Sequence, residues 1–373
     1  MKKECQKWLQ EKIAKIEALE SYAPEKTIET VARQYGLSPA DIVKLNFNEN
    51  LYMPRARLVA LLKEVAEECD VRLYPQEEEE KLREAIGEYL RLPQGCVAVG
   101  NSSDEVMDRI TRLFLEKGDK AVTFAPTFSV FRYSVKYQGA EYVAVPLRKG
   151  FTLDVKAMRE AFTPNAKLLY LCSPNNPTGN QFGQAEVEAL IEEFAGIVMV
   201  DEAYDEYADY SVVPLIDKYE NLVVLRTFSK AFGLAGLRLG YAVANPTLAN
   251  AINKIPAPYA INTVTLTMGR KLLENVGVVR EAVAALKAER GKLINALNEI
   301  RGVEAFDSRA NFVLFNTAKP YEDVYVNLLK RGVIIKKLGK LLEYENCLRA
   351  TVGLPEMNAK LLNGLREYLG DEA

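Results

Sequence analysis

The 373-residue chain contains no histidine. That absence removes Ser–His and Cys–His nucleophile pairs, histidine-based zinc sites and imidazole acid–base chemistry, and leaves Lys, Asp, Glu, Tyr or Cys to carry any proton. Cysteine is scarce as well. Cys5, Cys69, Cys96, Cys172 and Cys347 are odd in number, scattered and without C-x-x-C spacing, so neither a disulfide framework nor a metal cluster is expected. No run reaches the ~18 apolar residues needed to span a bilayer, and the opening Met-Lys-Lys-Glu-Cys-Gln lacks the apolar core of a signal peptide. A soluble, cytoplasmic protein without a membrane partner is expected. A net charge of -3 and a pI near 5.6 give no basic surface for general nucleic-acid binding.

What is present is a 49% hydrophobic chain with its apolar residues spread throughout, enough for a large core and about two domains. Its most informative stretch is Arg226 to Arg238, Arg-Thr-Phe-Ser-Lys-Ala-Phe-Gly-Leu-Ala-Gly-Leu-Arg, which follows the β-branched run Leu222 to Leu225. Lys230 therefore sits where a buried strand opens into a loop, and a lysine in such a desolvated place loses its proton easily and can form a Schiff base. Further strands are expected at Val97 to Gly100, Ala121 to Ala125, Tyr142 to Leu147, Lys167 to Cys172, Ile197 to Val200 and Leu239 to Ala244. Helices such as Ala185 to Phe194 alternate with several of them, the pattern of an open, mostly parallel α/β sheet. Such sheets bind ligands at the carboxyl ends of their strands. There the sequence places Ala125 to Phe128, Ser173-Pro-Asn-Asn-Pro-Thr-Gly179 and Asp201-Glu-Ala-Tyr204.

Elsewhere the signals are weaker. Trp8, Leu9, Ile13, Ile16 and Leu19 lie at helical spacing in an opening amphipathic helix over Lys7 to Leu19. Thr27 to Lys44 has helix-turn-helix spacing, but its charges balance and no wing follows, so two short packing helices are expected rather than a DNA reader. Asn46 to Asn50 suggests a ligand-facing loop. Glu77 to Glu80 suits the start of a solvated helix. Val97 to Gly100, then Asn101-Ser-Ser-Asp104, then a helix from Glu105 is compatible with an anion on free helix amides, or with a simple N-cap.

Asn48-Glu-Asn50, Tyr74-Pro75, Ser103-Asp-Glu105, Ser173 to Gly179, Asp201 to Tyr204, Ser229-Lys230, Gly236-Leu-Arg238 and Leu348-Arg349 form one ordered set. With this set the chain, from about Tyr22 onward, resembles the fold-type I pyridoxal-phosphate (PLP) enzymes of the aminotransferase class. Within that class it is most similar to histidinol-phosphate aminotransferases. The resemblance implies an α/β large domain with a mostly parallel mixed sheet, over residues 51-270. It also implies a smaller α+β domain built from the N-terminal arm, 1-50, and the C-terminal part, 271-373.

The resemblance makes Lys230 the Schiff-base lysine and the base that moves the substrate's proton. Asp201 would hold the pyridine nitrogen protonated, Tyr204 and Asn176 would bond the cofactor O3′, and Phe128 would stack on its ring. The phosphate would lie on the amides of Ser103 and Asp104, with Thr227, Ser229 and Arg238 around it. The implied assembly is a homodimer in which Tyr74 reaches the neighbouring subunit's phosphate. Arg349 would clamp the carboxylate of glutamate or 2-oxoglutarate, and Lys336, Asn48 and Tyr52 are candidates near the phosphorylated substrate. The chain departs from the family at Leu51, where proline is frequent, at Met53, where glycine is common, and at Lys336, where arginine is often found. Three other activities stay open on sequence alone: an aromatic amino-acid aminotransferase, a phosphothreonine decarboxylase, and a regulator with an aminotransferase-like sensing domain.

Overall fold

A computed structural model describes residues 2–18 and 25–370. In chain order the strands are β1 (Val43–Leu45), β2 (Val97–Gly100), β3 (Lys120–Ala125), β4 (Glu141–Pro146), β5 (Ala166–Cys172) and β6 (Ile197–Asp201). They continue with β7 (Leu222–Thr227), β8 (Gly240–Ala244), β9 (Val303–Ala305), β10 (Phe312–Thr317), β11 (Val333–Leu341) and β12 (Tyr344–Thr351). Two sheets result, in the orders β2-β8-β7-β6-β5-β3-β4 and β1-β11-β12-β10-β9. In the larger sheet only β8 runs against its neighbours. Strands β5 and β7 are buried almost throughout and read as continuous apolar runs, as central strands covered on both faces must.

The smaller sheet draws on both ends of the sequence. β1 pairs in parallel with β11, Val43 facing Val333, while β10, β11 and β12 form an antiparallel set. This pairing explains why Thr27 to Lys44 forms no helix-turn-helix. Helix Ile28–Tyr35 is capped by Thr27 and ended by Gly36 in the left-handed region, and then only one 3-10 turn, Pro39–Asp41, follows. Val43 N donates to Gly332 O at 2.8 Å, so strand pairing takes the backbone that a second helix would need. The opening helix spans Lys2–Glu17, with Trp8, Leu9, Ile13 and Ile16 exposed. Leu19 and Tyr22 lie outside the described residues. The glutamate run opens helix Glu78–Leu90, with Glu78, Glu79 and Glu80 in its first turn.

Behind the carboxyl ends of β6 and β7 lies a buried ion cluster. Arg226 Nη2 is 2.7 Å from Glu202 Oε2, and its Nη1 is 2.6 Å from Asp205 Oδ2. Glu202 also accepts from Ser211 Oγ and from Val212 N. Removing one partner of such a buried pair generally costs about 3–5 kcal/mol, because the other charge is stranded. The cluster therefore ties the residue after Asp201 to the residue before Thr227.

Candidate active site

Strands β5, β6 and β7 end side by side in Cys172, Asp201 and Thr227. All three line one recess of about 90 Å³, together with Ser103, Asp104, Phe128, Asn176, Tyr204, Ser229, Lys230 and Arg238. The recess opens into an outer chamber of about 750 Å³, whose walls add Phe47, Asn48, Glu49, Lys336 and Arg349. Thirteen of the fifteen site residues expected from the sequence are thus gathered in one place. Tyr52 and Tyr74 are not. Tyr52 lies outside both linings and donates from its hydroxyl to Gly353 O at 3.1 Å. Tyr74 is 75% exposed and stacks on Tyr259 with ring centroids 5.2 Å apart, in a separate hollow.

At the recess floor, Asp201 Oδ2 accepts from the Tyr170 hydroxyl at 2.7 Å and Oδ1 accepts from Ala203 N at 3.0 Å. Burial pushes its pKa up to about 6 against those two donors. A cation against this carboxylate would be welcome. Opposite, the half-buried Lys230 donates to Phe47 O at 3.0 Å, and burial, with Arg349 nearby, lowers its amine to about 8. At pH 7.5 roughly one such amine in four is neutral, against about one in a thousand for an ordinary lysine. The amine is primed as a nucleophile and as a base.

The third corner suits an anion. Helix Ser103–Phe114 opens there, and its cap Ser102 accepts from Glu105 N, which leaves Ser103 and Asp104 in the first turn facing the recess. The sequence left a bare N-cap and an anion site as alternatives; Ser102 does the capping while the residues after it line the recess. The helix can start this close to β8 because residue 240 is glycine: a Cβ there would fall 2.2 Å from Ser103 N. Arg238 Nη1 lies 3.3 Å from Ser229 Oγ and its Nη2 lies 3.1 Å from Asp104 Oδ2.

Between the sheets, Asn48 Nδ2 donates to the Tyr204 hydroxyl at 3.0 Å, and burial raises that hydroxyl's pKa. Arg349 donates to Asn176 Oδ1, and to Asn46 O at 3.0 Å, with its guanidinium over the Phe312 ring. Lys336 is ion-paired with Glu25. Tyr170 is a site residue that the sequence did not single out, whereas Phe47 and Glu49 lie in the Asn46 to Asn50 stretch expected to face a ligand. Tyr170 is hidden inside an apolar strand, and only the β5–β6 register, which sets Cys172 beside Asp201, brings its hydroxyl to the carboxylate.

A family model described as aminotransferase class I and II matches residues 40–365. The chain belongs to that family. It is a PLP-dependent aminotransferase of fold type I. It is 38% identical over 360 residues to the histidinol-phosphate aminotransferase of Symbiobacterium thermophilum, covering 95% of this chain and 98% of the relative. The corresponding protein of Methanosarcina mazei is 35% identical over 92% of this chain and 93% of its own. Among solved structures, the histidinol-phosphate aminotransferase of Sinorhizobium meliloti in complex with pyridoxal-5′-phosphate superposes with a TM-score of 0.85 at 25% identity, covering 96% of this chain and 97% of that one. The recess of this aminotransferase fits the cofactor on its own terms. A raised buried carboxylate suits a protonated ring nitrogen, a helix start with Arg238 suits a phosphate, and a lowered lysine suits an aldehyde.

Proposed function

We propose that this aminotransferase moves the amino group of L-histidinol phosphate to 2-oxoglutarate, giving imidazole acetol phosphate and glutamate in histidine biosynthesis. The observation that carries the reading is the outer chamber, whose walls add the cations Arg349 and Lys336 to Lys230 and Arg238 of the recess. An amino-alcohol phosphate has no carboxylate, so a second cationic corner, separate from the one for the cofactor phosphate, is what its own phosphate requires. The relatives that share most of this chain's length carry the same activity in their names, which supports the reading.

In this reading Asp201 faces the cofactor ring nitrogen and keeps it protonated, with Tyr170 and Ala203 N holding the carboxylate. Tyr204 and Asn176 bond the ring oxygen, and Phe128 covers the ring face. Ser103, Asp104, Thr227, Ser229 and Arg238 hold the cofactor phosphate. Bound PLP would supply an aldehyde for the donor's amine and a conjugated ring as the sink for the electron pair of the Cα–H bond. Lys230 Nζ, in its neutral form, takes the proton from the donor Cα. Arg349 orients the donor's phosphate in one half-reaction and the 2-oxoglutarate carboxylate in the other. Lys336, released from Glu25, adds a point charge for the phosphate. The residues at 1-50 and 271-373 contribute Asn48, Lys336 and Arg349, and those at 51-270 contribute the rest.

The test is kcat/KM for histidinol phosphate, phenylalanine, tyrosine and phosphothreonine with wild type, Arg349→Ala and Lys336→Ala. Arg349→Ala is expected to weaken both half-reactions. Lys336→Ala is expected to weaken chiefly the phosphorylated donor, by about the 1.5–3 kcal/mol of a charged hydrogen bond. Phenylalanine or tyrosine outperforming histidinol phosphate in the wild type would overturn the substrate assignment in favour of an aromatic aminotransferase.

The active unit in this reading is a cytoplasmic homodimer with shared sites, and cell fractionation checks its compartment. Tyr74, exposed and outside the lining of its own recess, would serve a second copy in this reading. Mixing Lys230→Ala and Tyr74→Phe subunits should restore one site per heterodimer and raise activity above that of either variant. No gain after verified subunit exchange would leave Tyr74 acting within its own chain or not at all.

A further inference from the structure

Two carboxylates line the outer chamber, and they have different surroundings. Asp104 is paired with Arg238 at the cofactor-phosphate corner. Glu49 lies on the loop after β1, and its charge is felt at the Lys230 amine. That loop is pinned on both sides of Glu49. Asn48 N donates to Thr351 Oγ1 at 2.9 Å, Asn48 Nδ2 reaches Tyr204, and Asn50 Nδ2 donates to Ala231 O at 2.8 Å. Asn48 has a φ of 58°, the left-handed turn that lets Phe47 and Glu49 flank it at the chamber wall.

Behind the wall, Lys44 Nζ holds Glu49 Oε2 at 2.5 Å and sits 4.3 Å from the Phe47 ring centroid, but it does not line the chamber. Among the described residues, Oε1 has no hydrogen-bond partner of its own. Phe128, Val130, Leu338 and Leu341 supply an apolar part of the chamber wall. A fixed carboxylate oxygen in a chamber that also offers apolar side chains and the cations Arg349 and Lys336 is a recognition element for a flat ring that donates an N–H.

Resting on the histidinol-phosphate reading above, we infer that Glu49 is a specificity determinant: its free oxygen accepts an N–H from the donor's imidazole. With the donor's phosphate drawn to Arg349 and Lys336, the substituent on the other side of the reacting carbon turns toward Phe47 and Glu49. Imidazole offers an N–H there and, below its ordinary pKa of about 6.5, a positive charge as well. A phenyl ring of similar shape offers neither and leaves the carboxylate oxygen without a donor. Sites that hydrogen-bond a substrate N–H reject analogues that lack it more strongly than apolar pockets reject a changed methylene.

The experiment compares kcat/KM for L-histidinol phosphate and L-phenylalaninol phosphate, which share the amino-alcohol phosphate and differ in the ring. It uses the cofactor-loaded wild type, Glu49→Gln and Lys44→Gln. Glu49→Gln should lower the imidazole-to-phenyl ratio by about 10- to 100-fold, through a higher KM for histidinol phosphate, with a smaller change for phenylalaninol phosphate. Lys44→Gln keeps the carboxylate and should leave the ratio within about fivefold, the most that a partly exposed ion pair commonly contributes. An equal loss for both donors in Glu49→Gln, or an equal fall of the ratio in Lys44→Gln, would show that the carboxylate only shapes the loop and would overturn the inference. Wild type that turns over neither phosphorylated donor would instead defeat the functional reading itself, and Glu49's assignment with it, before any variant is compared.

Discussion

Replacing Lys230 with alanine is expected to lower kcat by about 10⁴-fold, the upper range for removing a positioned acid–base group. The purified wild type should be yellow, and borohydride should bleach it and fix the cofactor on Lys230, whereas Lys230→Ala should show neither behaviour. The size of the effect follows from what the site offers in its place. With no histidine in the chain, and with Tyr204 and Tyr170 both pushed above the ordinary phenol range by burial, Lys230 is the group in the recess that can be neutral and basic near pH 7.5. Recovery of a reduced adduct on another lysine, or turnover within about tenfold of wild type, would remove Lys230 from its role.

Asp201→Ala is expected to retain the cofactor and lose about 10²- to 10³-fold in turnover, the usual effect of deleting one preorganised electrostatic partner. The carboxylate is buried, held by the Tyr170 hydroxyl and Ala203 N, and raised to about 6 when no cation faces it. A protonated ring nitrogen at that spot would pull its pKa back down, and by the same coupling the carboxylate would raise the nitrogen's. In the proposed function Asp201 would therefore serve the reaction by keeping a positive charge on the ring. Near wild-type turnover in Asp201→Ala, with cofactor bound, would refute this. Retained activity with lost cofactor affinity would reassign Asp201 to binding alone.

The large sheet was legible because each of its strands is a local apolar run ended by polar residues. The recess-lining residues follow those runs within a few positions, as Asp201 ends β6 and Thr227 ends β7. Contacts between distant parts of the chain were not legible. Tyr170 gives no local signal, because a tyrosine in an apolar strand reads as core until the register puts its hydroxyl on Asp201. Arg349 meets Asn176 and Asn46 across 173 and 303 positions, and no periodicity reports such a pairing. The same applies to the segment after Gly36. Its spacing suited a second helix, and the partner that drew it into β1 lies near Gly332. Glu49 was visible as part of Asn48-Glu-Asn50, but its place in the chamber depends on the two asparagines that pin the loop to opposite sides of the site.

The most direct measurement is a single half-reaction. Wild-type protein loaded with cofactor is mixed with L-histidinol phosphate and no 2-oxoglutarate, and absorbance and products are followed together. The account predicts loss of the yellow form, release of one equivalent of imidazole acetol phosphate per site, and return of the colour when 2-oxoglutarate is added. No spectral change with histidinol phosphate, together with CO₂ released from phosphothreonine, would contradict it.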